Sequence, residues 1–242
     1  MQLRLNFPAF LLSLGIVIAA LIGAHSWKEQ QRANQIISVV GSAKQDFKAD
    51  LGFIRFTIAG VAATAPEGFR AMQTAEPTVR KFLAEQGFTP DQIKEFAATQ
   101  EIEKQYNDKG YETNKILNVI YRKRLEVTSS DVEKLAKLAL QLPALVEQGV
   151  QISVEQPEYL YTKMADLKIE VQAHAAADAK VRAERIARAT GSELGPIRSA
   201  RMGVLQITPR FSTVVSDYGV NDTSSIEKEI TAVVQASFEI SR

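Results

Sequence analysis

The chain has 242 residues, 45% hydrophobic and 24% charged, a balance that suits a folded body and excludes wholesale disorder. It holds no cysteine, so disulfides, thiolate nucleophiles and cysteine-based zinc sites are excluded. Arg4 is the one charged residue before Lys28, and the remainder carries 28 basic against 28 acidic residues; such a neutral body argues against general nucleic-acid binding, which rests on a basic excess.

Residues 7–24, FPAFLLSLGIVIAALIGA, contain no charge. As a helix, Phe7–Ala24 spans about 27 Å, just short of a hydrocarbon core of roughly 30 Å. Extension to Trp27 closes the gap, and tryptophan is at home at the membrane interface. This length favours a retained anchor. The alternative is a cleaved signal peptide, for which Ala24-His25-Ser26 offers small residues at the required spacing. The flanking charges do not orient the segment, because the α-amine and Arg4 face Lys28 and Arg32. Its short N-terminal flank makes export of the C-terminal body the simpler expectation. Gly15, Ala19 and Gly23 recur every four residues, a face along which membrane helices pack closely. The chain thus divides into an anchor or signal segment, residues 1–27, and a body, residues 28–242.

Two strands open the body. Ile37, Val39 and Gly41 alternate with Ser38 and Val40, and Ile54, Phe56 and Ile58 share a face opposite Arg55 and Thr57. Thr64-Ala-Pro-Glu67 has the spacing of a capping box, with Phe69, Met72, Val79, Phe82 and Leu83 as the apolar stripe of the helix behind it. Pro77 is expected to kink that helix and Gly87 to stop it. A tight turn at Asn107–Gly110 then joins two strands. In the second, Leu117, Val119, Tyr121, Leu125 and Val127 form one face, which Lys123 interrupts. Ser130-Asp-Val-Glu133 predicts another capping box, for a helix that ends before Pro143. Val150, Ile152 and Val154 mark a strand.

A long helical stretch is predicted from about Glu158 to Thr190, with Leu160, Met164, Leu167 and Val171 on one stripe and room for a break. Its Ala-rich second half carries Lys180/Glu184 and Glu184/Arg188 at i,i+4, which supports an exposed helix. Two strands bracketing a polar loop close the chain, over about Pro196–Ile207 and Ile230–Ile240. The order ββα ββα βα ββ predicts an α+β fold: a mainly antiparallel sheet with about three helices covering one face.

Chemistry-bearing motifs are scarce. The two histidines, His25 and His174, are far apart in sequence, and a lone histidine beside an apolar stripe is usually structural. There is no G-x-S-x-G elbow, no Walker loop and no G-x-G-x-x-G. Gly191-Ser-Glu-Leu-Gly195 follows a helix rather than opening one, so it is expected to be a cap. No catalytic, cofactor or metal residue is nominated, and the body is expected to be non-catalytic. Arg122, Lys123 and Arg124 are the densest basic run. Arg122 and Arg124 share a strand face, where an anion or lipid headgroup could sit, although a solvated face is the commoner meaning of such a run.

The body resembles the SIMPL-domain family. The resemblance rests on Ile37-Ser-Val39-Val-Gly41-Ser-Ala43 with Ala49-Asp50, on Gln86-Gly87-Phe88 with Asp91-Gln-Ile93, and on Gly110-Tyr111. Its most specific part is Ala176-Ala-Asp178-Ala-Lys180-Val-Arg182-Ala-Glu184-Arg-Ile-Ala187, followed by Gly191 and Leu194-Gly195. It spans about Ile36 to Ile240. It implies an exported bacterial protein of the cell envelope, in the periplasm or tethered to the inner membrane. Some members form homo-oligomeric rings and some are linked with oxidative-stress tolerance. No shared enzymatic activity is implied. The chain is expected to depart from the family in keeping its N-terminal segment, and it departs in the charge around Arg122–Val127.

Overall fold

A computed structural model describes residues 14–24 and 35–241. Residues 14–24 form helix α1, with Gly15, Ala19 and Gly23 on one exposed face. A Cβ added at Gly15 or Gly23 would meet nothing within 4 Å. No described helix is long and apolar enough to cross a membrane. The first part of the Phe7–Ala24 segment, together with His25 and Trp27, lies outside the described residues.

The body is α+β, as expected, but its strands form two sheets rather than one. The first strands, β1 (Ile36–Lys48) and β2 (Leu51–Ala62), are joined by Ala49-Asp50 and then part company. β1 pairs antiparallel along its whole length with the last strand, β11 (Glu227–Ser241). β11 also pairs with β8 (Glu193–Met202) and β9 (Gln206–Pro209), and the two-residue β10 (Val220–Asn221) runs parallel to β9. In the second sheet β2 pairs with β5 (Glu112–Ser129) on one side, and with β6 (Gln151–Val154) and β7 (Glu158–Leu160) on the other. β3 (Ile93–Glu95) and β4 (Thr99–Tyr106) both pair with β5. Each sheet buries one face under its own helices, so there are two cores.

Helices α2 (Ala65–Glu85) and α3 (Val132–Gln141) cover the second sheet. Ile54, Phe56, Ile58, Leu125 and Val127 meet Met72, Val79 and Leu83 from α2 and Leu135 and Leu138 from α3. Burying each such side chain contributes roughly 1.5–3 kcal/mol. Helix α4 (Met164–Ala189) covers the first sheet. Its buried stripe is Leu167, Val171, Ala175, Ala179, Ala183 and Ala187, each four residues from the next. Both helix–sheet contacts pivot on a strand glycine. A Cβ on Gly41 would lie 2.7 Å from the Ala179 Cα, and one on Gly60 would lie 3.0 Å from the Met72 Cα.

Local chemistry bears out some expectations and corrects others. Thr64 is the N-cap of α2, but its hydroxyl donates to the Glu67 carboxylate at 2.8 Å and no capping box forms. Pro77 lies inside α2, which continues on both sides of it. Gly87, at φ 76°, ends it in a Schellman arrangement: the Gly87 N–H donates to Ala84 O and the Phe88 N–H to Leu83 O. Asp131, not Ser130, caps α3, its side chain accepting the Lys134 N–H at 2.9 Å. Beyond α3 the chain tightens into a 3-10 segment, Leu142–Gln148, that accommodates Pro143. The long helical stretch is shorter than expected. Glu158–Leu160 is drawn into β7 by pairing with β2, which removes Leu160 from the stripe and starts α4 at Met164.

Lys123, which breaks the apolar face of β5, is absorbed by two carboxylates. Its Nζ lies 2.8 Å from Glu76 on α2 and 2.8 Å from Glu95 on β3. Burial pulls the Lys123 pKa down, but the hydrogen bonds to Glu76 and Glu95 outweigh it and hold it above the ordinary value. The same bond from Lys123, with help from Arg80, holds Glu76 below its ordinary value. Lys123→Ala is therefore expected to lower the unfolding free energy by about 2 kcal/mol, the scale for a charge-assisted hydrogen bond. Urea denaturation reads this; a loss below about 0.5 kcal/mol would make the cluster an ordinary solvated surface.

Candidate functional site

The two sheets meet where the β1–β2 turn, β7 and the start of α4 converge. Asp50 holds this corner. Its carboxylate accepts the Thr162 N–H at 2.7 Å and the Thr162 hydroxyl at 2.6 Å, fixing the linker between β7 and α4. The Ala49 N–H donates to Ile226 O at 2.9 Å and the Tyr159 N–H to Thr223 O at 2.7 Å, tying the loop before β11 to both sheets.

A cavity of about 580 Å³ opens beside this corner. α4 contributes Met164, Lys168 and Gln172, and the preceding linker contributes Tyr161. Val204 and Tyr218 face them from the segment between β8 and β10. Tyr218 is 98% exposed, so its ring is available at the mouth. The segment is braced from within. The Gln206 side-chain Nε2 donates to Ser216 O at 2.7 Å, and Gly219 turns at φ 89° against Val204 and Leu205.

The floor is a buried ion pair. Lys228 lies on the inward face of β11, in phase with Ile230 and Ala232, with its side chain 2% exposed. Its Nζ donates to Asp222 O at 2.6 Å and to the Asp222 carboxylate at 2.9 Å. That carboxylate also accepts from the Ser224 and Ser225 hydroxyls and backbone N–H groups. Burial pushes the Asp222 carboxyl up, but the Ser225, Ser224 and Lys228 donors together hold it far below the usual carboxylate range. The floor is thus a fixed scaffold, and the groups left to meet a ligand are Tyr161, Lys168, Gln172, Asn221 and Tyr218.

The residues singled out in the sequence lie elsewhere. Arg122 and Arg124 share a face and, with Thr57, Phe96 and Thr99, line a smaller hollow of about 320 Å³. Each is engaged by a carboxylate from another element: Arg122 by Glu101 of β4, and Arg124 by Glu155 at 3.2 Å. His174 is exposed on α4, off its buried stripe. Among the described residues no three His, Cys, Asp or Glu side chains cluster as a metal site would require. Asp222 and Lys228 were not singled out. The available signal was a lysine in phase with the apolar face of an alternating strand.

A third feature is the β4–β5 arm. The Asn107 side chain closes its tip by accepting the Lys109 and Tyr111 N–H groups, both at 3.0 Å, and Gly110 turns at φ 77°. Beyond Val119 nothing among the described residues covers either face. Ile102 and Leu117 are 48% and 44% exposed, and Tyr106 and Tyr111 stand at the tip.

No curated protein matches the chain. A protein-family model described as SIMPL, a protein of unknown function (DUF541), matches residues 37–238. That match begins at the start of β1, ends within β11 and takes in both sheets and both cores, so the chain belongs to the SIMPL family.

Proposed function

We propose that the protein is a non-catalytic assembly module of the bacterial cell envelope, tethered to the inner membrane by residues 7–24, with its body in the periplasm. The observation that carries the assembly reading is the β4–β5 arm. A two-stranded ribbon with neither face covered is marginal by itself, and its exposed Ile102, Leu117, Tyr106 and Tyr111 are costly to leave in water. Contact with a second copy would cover it. The uncharged run of Phe7–Ala24 and the absence of cysteine support the envelope setting.

Size-exclusion chromatography with light scattering on the full chain is expected to give a mass several times that of one chain. The double variant Ile102→Glu, Leu117→Glu is expected to run as a monomer with an unchanged circular dichroism spectrum, since both side chains face solvent. A wild-type chain that stays monomeric at every concentration, in detergent and after removal of its N-terminal segment, would rule the reading out. A topology reporter fused after Arg242 reads the side of the membrane independently.

A second reading is an envelope module for a small ligand. It rests on the cavity of about 580 Å³ and its free Lys168, Gln172 and tyrosine groups. A ligand in that cavity would raise the melting temperature without changing the assembled mass.

A further inference from the structure

β1 is an edge strand, and the two halves of its free edge are treated differently. β11 pairs with one side of it; among the described residues no strand pairs with the other. The direction of its backbone groups is fixed by two hydrogen bonds. The Gln35 carbonyl accepts the Ile240 N–H, so odd positions face β11. The Ser42 N–H donates to the Asp178 carboxylate at 2.8 Å, so even positions face outward. From Ser42 to Lys48 the edge is guarded. Asp178 occupies one donor, and Lys44, Asp46 and Lys48 are charged, which deters strand pairing. From Ile36 to Val40 no such device is present among the described residues. The outward positions are Ile36, Ser38 and Val40, and Ile36 and Val40 are 48% and 53% exposed.

A groove of about 470 Å³ runs along this open half, between the edge and α4. Its helix wall is Arg182, Arg185 and Ile186, and its strand wall is Ser38, Val39 and Val40. Asp178, Arg182 and Arg185 fall at i, i+4 and i+7 on one helical face. Arg182 bonds Asp178 at 2.7 Å, while Arg185 makes no ion pair among the described residues. The wall is therefore net positive. Main-chain donors and acceptors that no described strand pairs, beside a basic helix, match a strand-addition site.

A second copy of β1 does not suit this edge. Two-fold antiparallel pairing about Ser38 keeps both α4 helices on the same face of the joined sheet. It would bring the arginines of one wall against those of the other, a like-charge contact. We propose that Ile36–Val40 receives an extended acidic polypeptide segment from another protein as an added antiparallel strand, with its carboxylates turned toward Arg182 and Arg185.

The test is fluorescence anisotropy with the full chain in detergent micelles and a labelled short peptide of alternating valine and glutamate. A valine–lysine peptide of the same length serves as the control. Saturable binding of the acidic peptide is expected, at least about tenfold tighter than the control. Val40→Pro removes an outward N–H that the β1–β11 ladder does not use, and is expected to abolish binding with the melting transition retained. Arg185→Glu is expected to weaken binding about fivefold. The Ile102→Glu, Leu117→Glu arm variant should bind as wild type, which separates this site from the assembly reading. No saturable binding of the acidic peptide, equal binding of both peptides, or binding indifferent to both edge variants would overturn the proposal. So would chain self-association abolished by Val40→Pro, which would assign the edge to a second copy.

Discussion

Gly41→Val is expected to detach α4 from the first sheet and lower the melting temperature by at least about 6 °C. The cause is backbone against backbone. A Cβ at position 41 would lie 2.7 Å from the Ala179 Cα and closer still to the Ala175 carbonyl oxygen and the Ala179 nitrogen. No rotamer relieves this, because the obstructing atoms belong to the helix main chain. α4 would have to lift, and its stripe of Val171, Ala175, Ala179 and Ala183 would lose contact with Val39, Val234 and Ala236. Overpacking with room to adjust costs about 1–3 kcal/mol, so the upper end or beyond is expected here. At roughly 2–4 °C per kcal/mol for a chain of this size, that gives the stated shift. Ser42→Ala, on the outer face of the same strand, should change stability by less than about 0.5 kcal/mol. Differential scanning calorimetry on both variants decides the matter; a Gly41→Val protein melting within a degree or two of wild type would mean that α4 does not press on β1.

The Gly41 contact shows where sequence reading succeeds and where it stops. Alternation in Ile230–Ile240 and in Leu117–Val127 is a local property, and both strands form where it places them. The Ala-rich segment reads as a helix from sequence, and its i,i+4 charge pairs mark the exposed side. The alanines at 175, 179, 183 and 187 are equally periodic, and they are the buried face. What such a row packs against depends on a glycine more than a hundred residues earlier, a relation that no local window contains. The division into two sheets was hidden for the same reason. β1 and β2 adjoin in sequence, yet their partners β11 and β5 are distant, and hydrophobic patterning is the same for one sheet or two. Leu160 keeps helical spacing with Met164 and Leu167, so periodicity alone starts α4 too early; pairing of β7 with β2 overrides it. At the arginine pair, the shared face was legible from strand parity. The carboxylates of Glu101 and Glu155 that engage Arg122 and Arg124 come from other elements and were not.

Asp222→Asn is expected to be the most damaging polar substitution in the body, worse than the loss of its partner. The asymmetry follows from what each change leaves behind. With asparagine at 222, the Lys228 ammonium stays buried beside a neutral amide, and an uncompensated buried charge costs about 3–5 kcal/mol. With Lys228→Met, Asp222 keeps its Ser224 and Ser225 donors, so a smaller loss of about 2 kcal/mol is expected. The double variant Asp222→Asn, Lys228→Met removes both charges and should recover most of what Asp222→Asn loses, the coupling expected of residues in one network. The pH dependence has a definite sign. The folded state holds Asp222 far below the ordinary carboxylate value of about 3.9, so its contribution is fully present above that value and fades as pH falls through it. The stability gap between wild type and Asp222→Asn should therefore narrow on acidification below about pH 4. Urea denaturation between neutral and acidic pH measures the gap; one that stays constant would deny Asp222 its depressed pKa. Because Asp222 and Lys228 also anchor the loop that walls the junction cavity, the variant that loses most stability should be the one whose Tyr218 segment is cut fastest by protease. That link tests whether the ion pair holds a binding surface in shape or merely fills the end of a core.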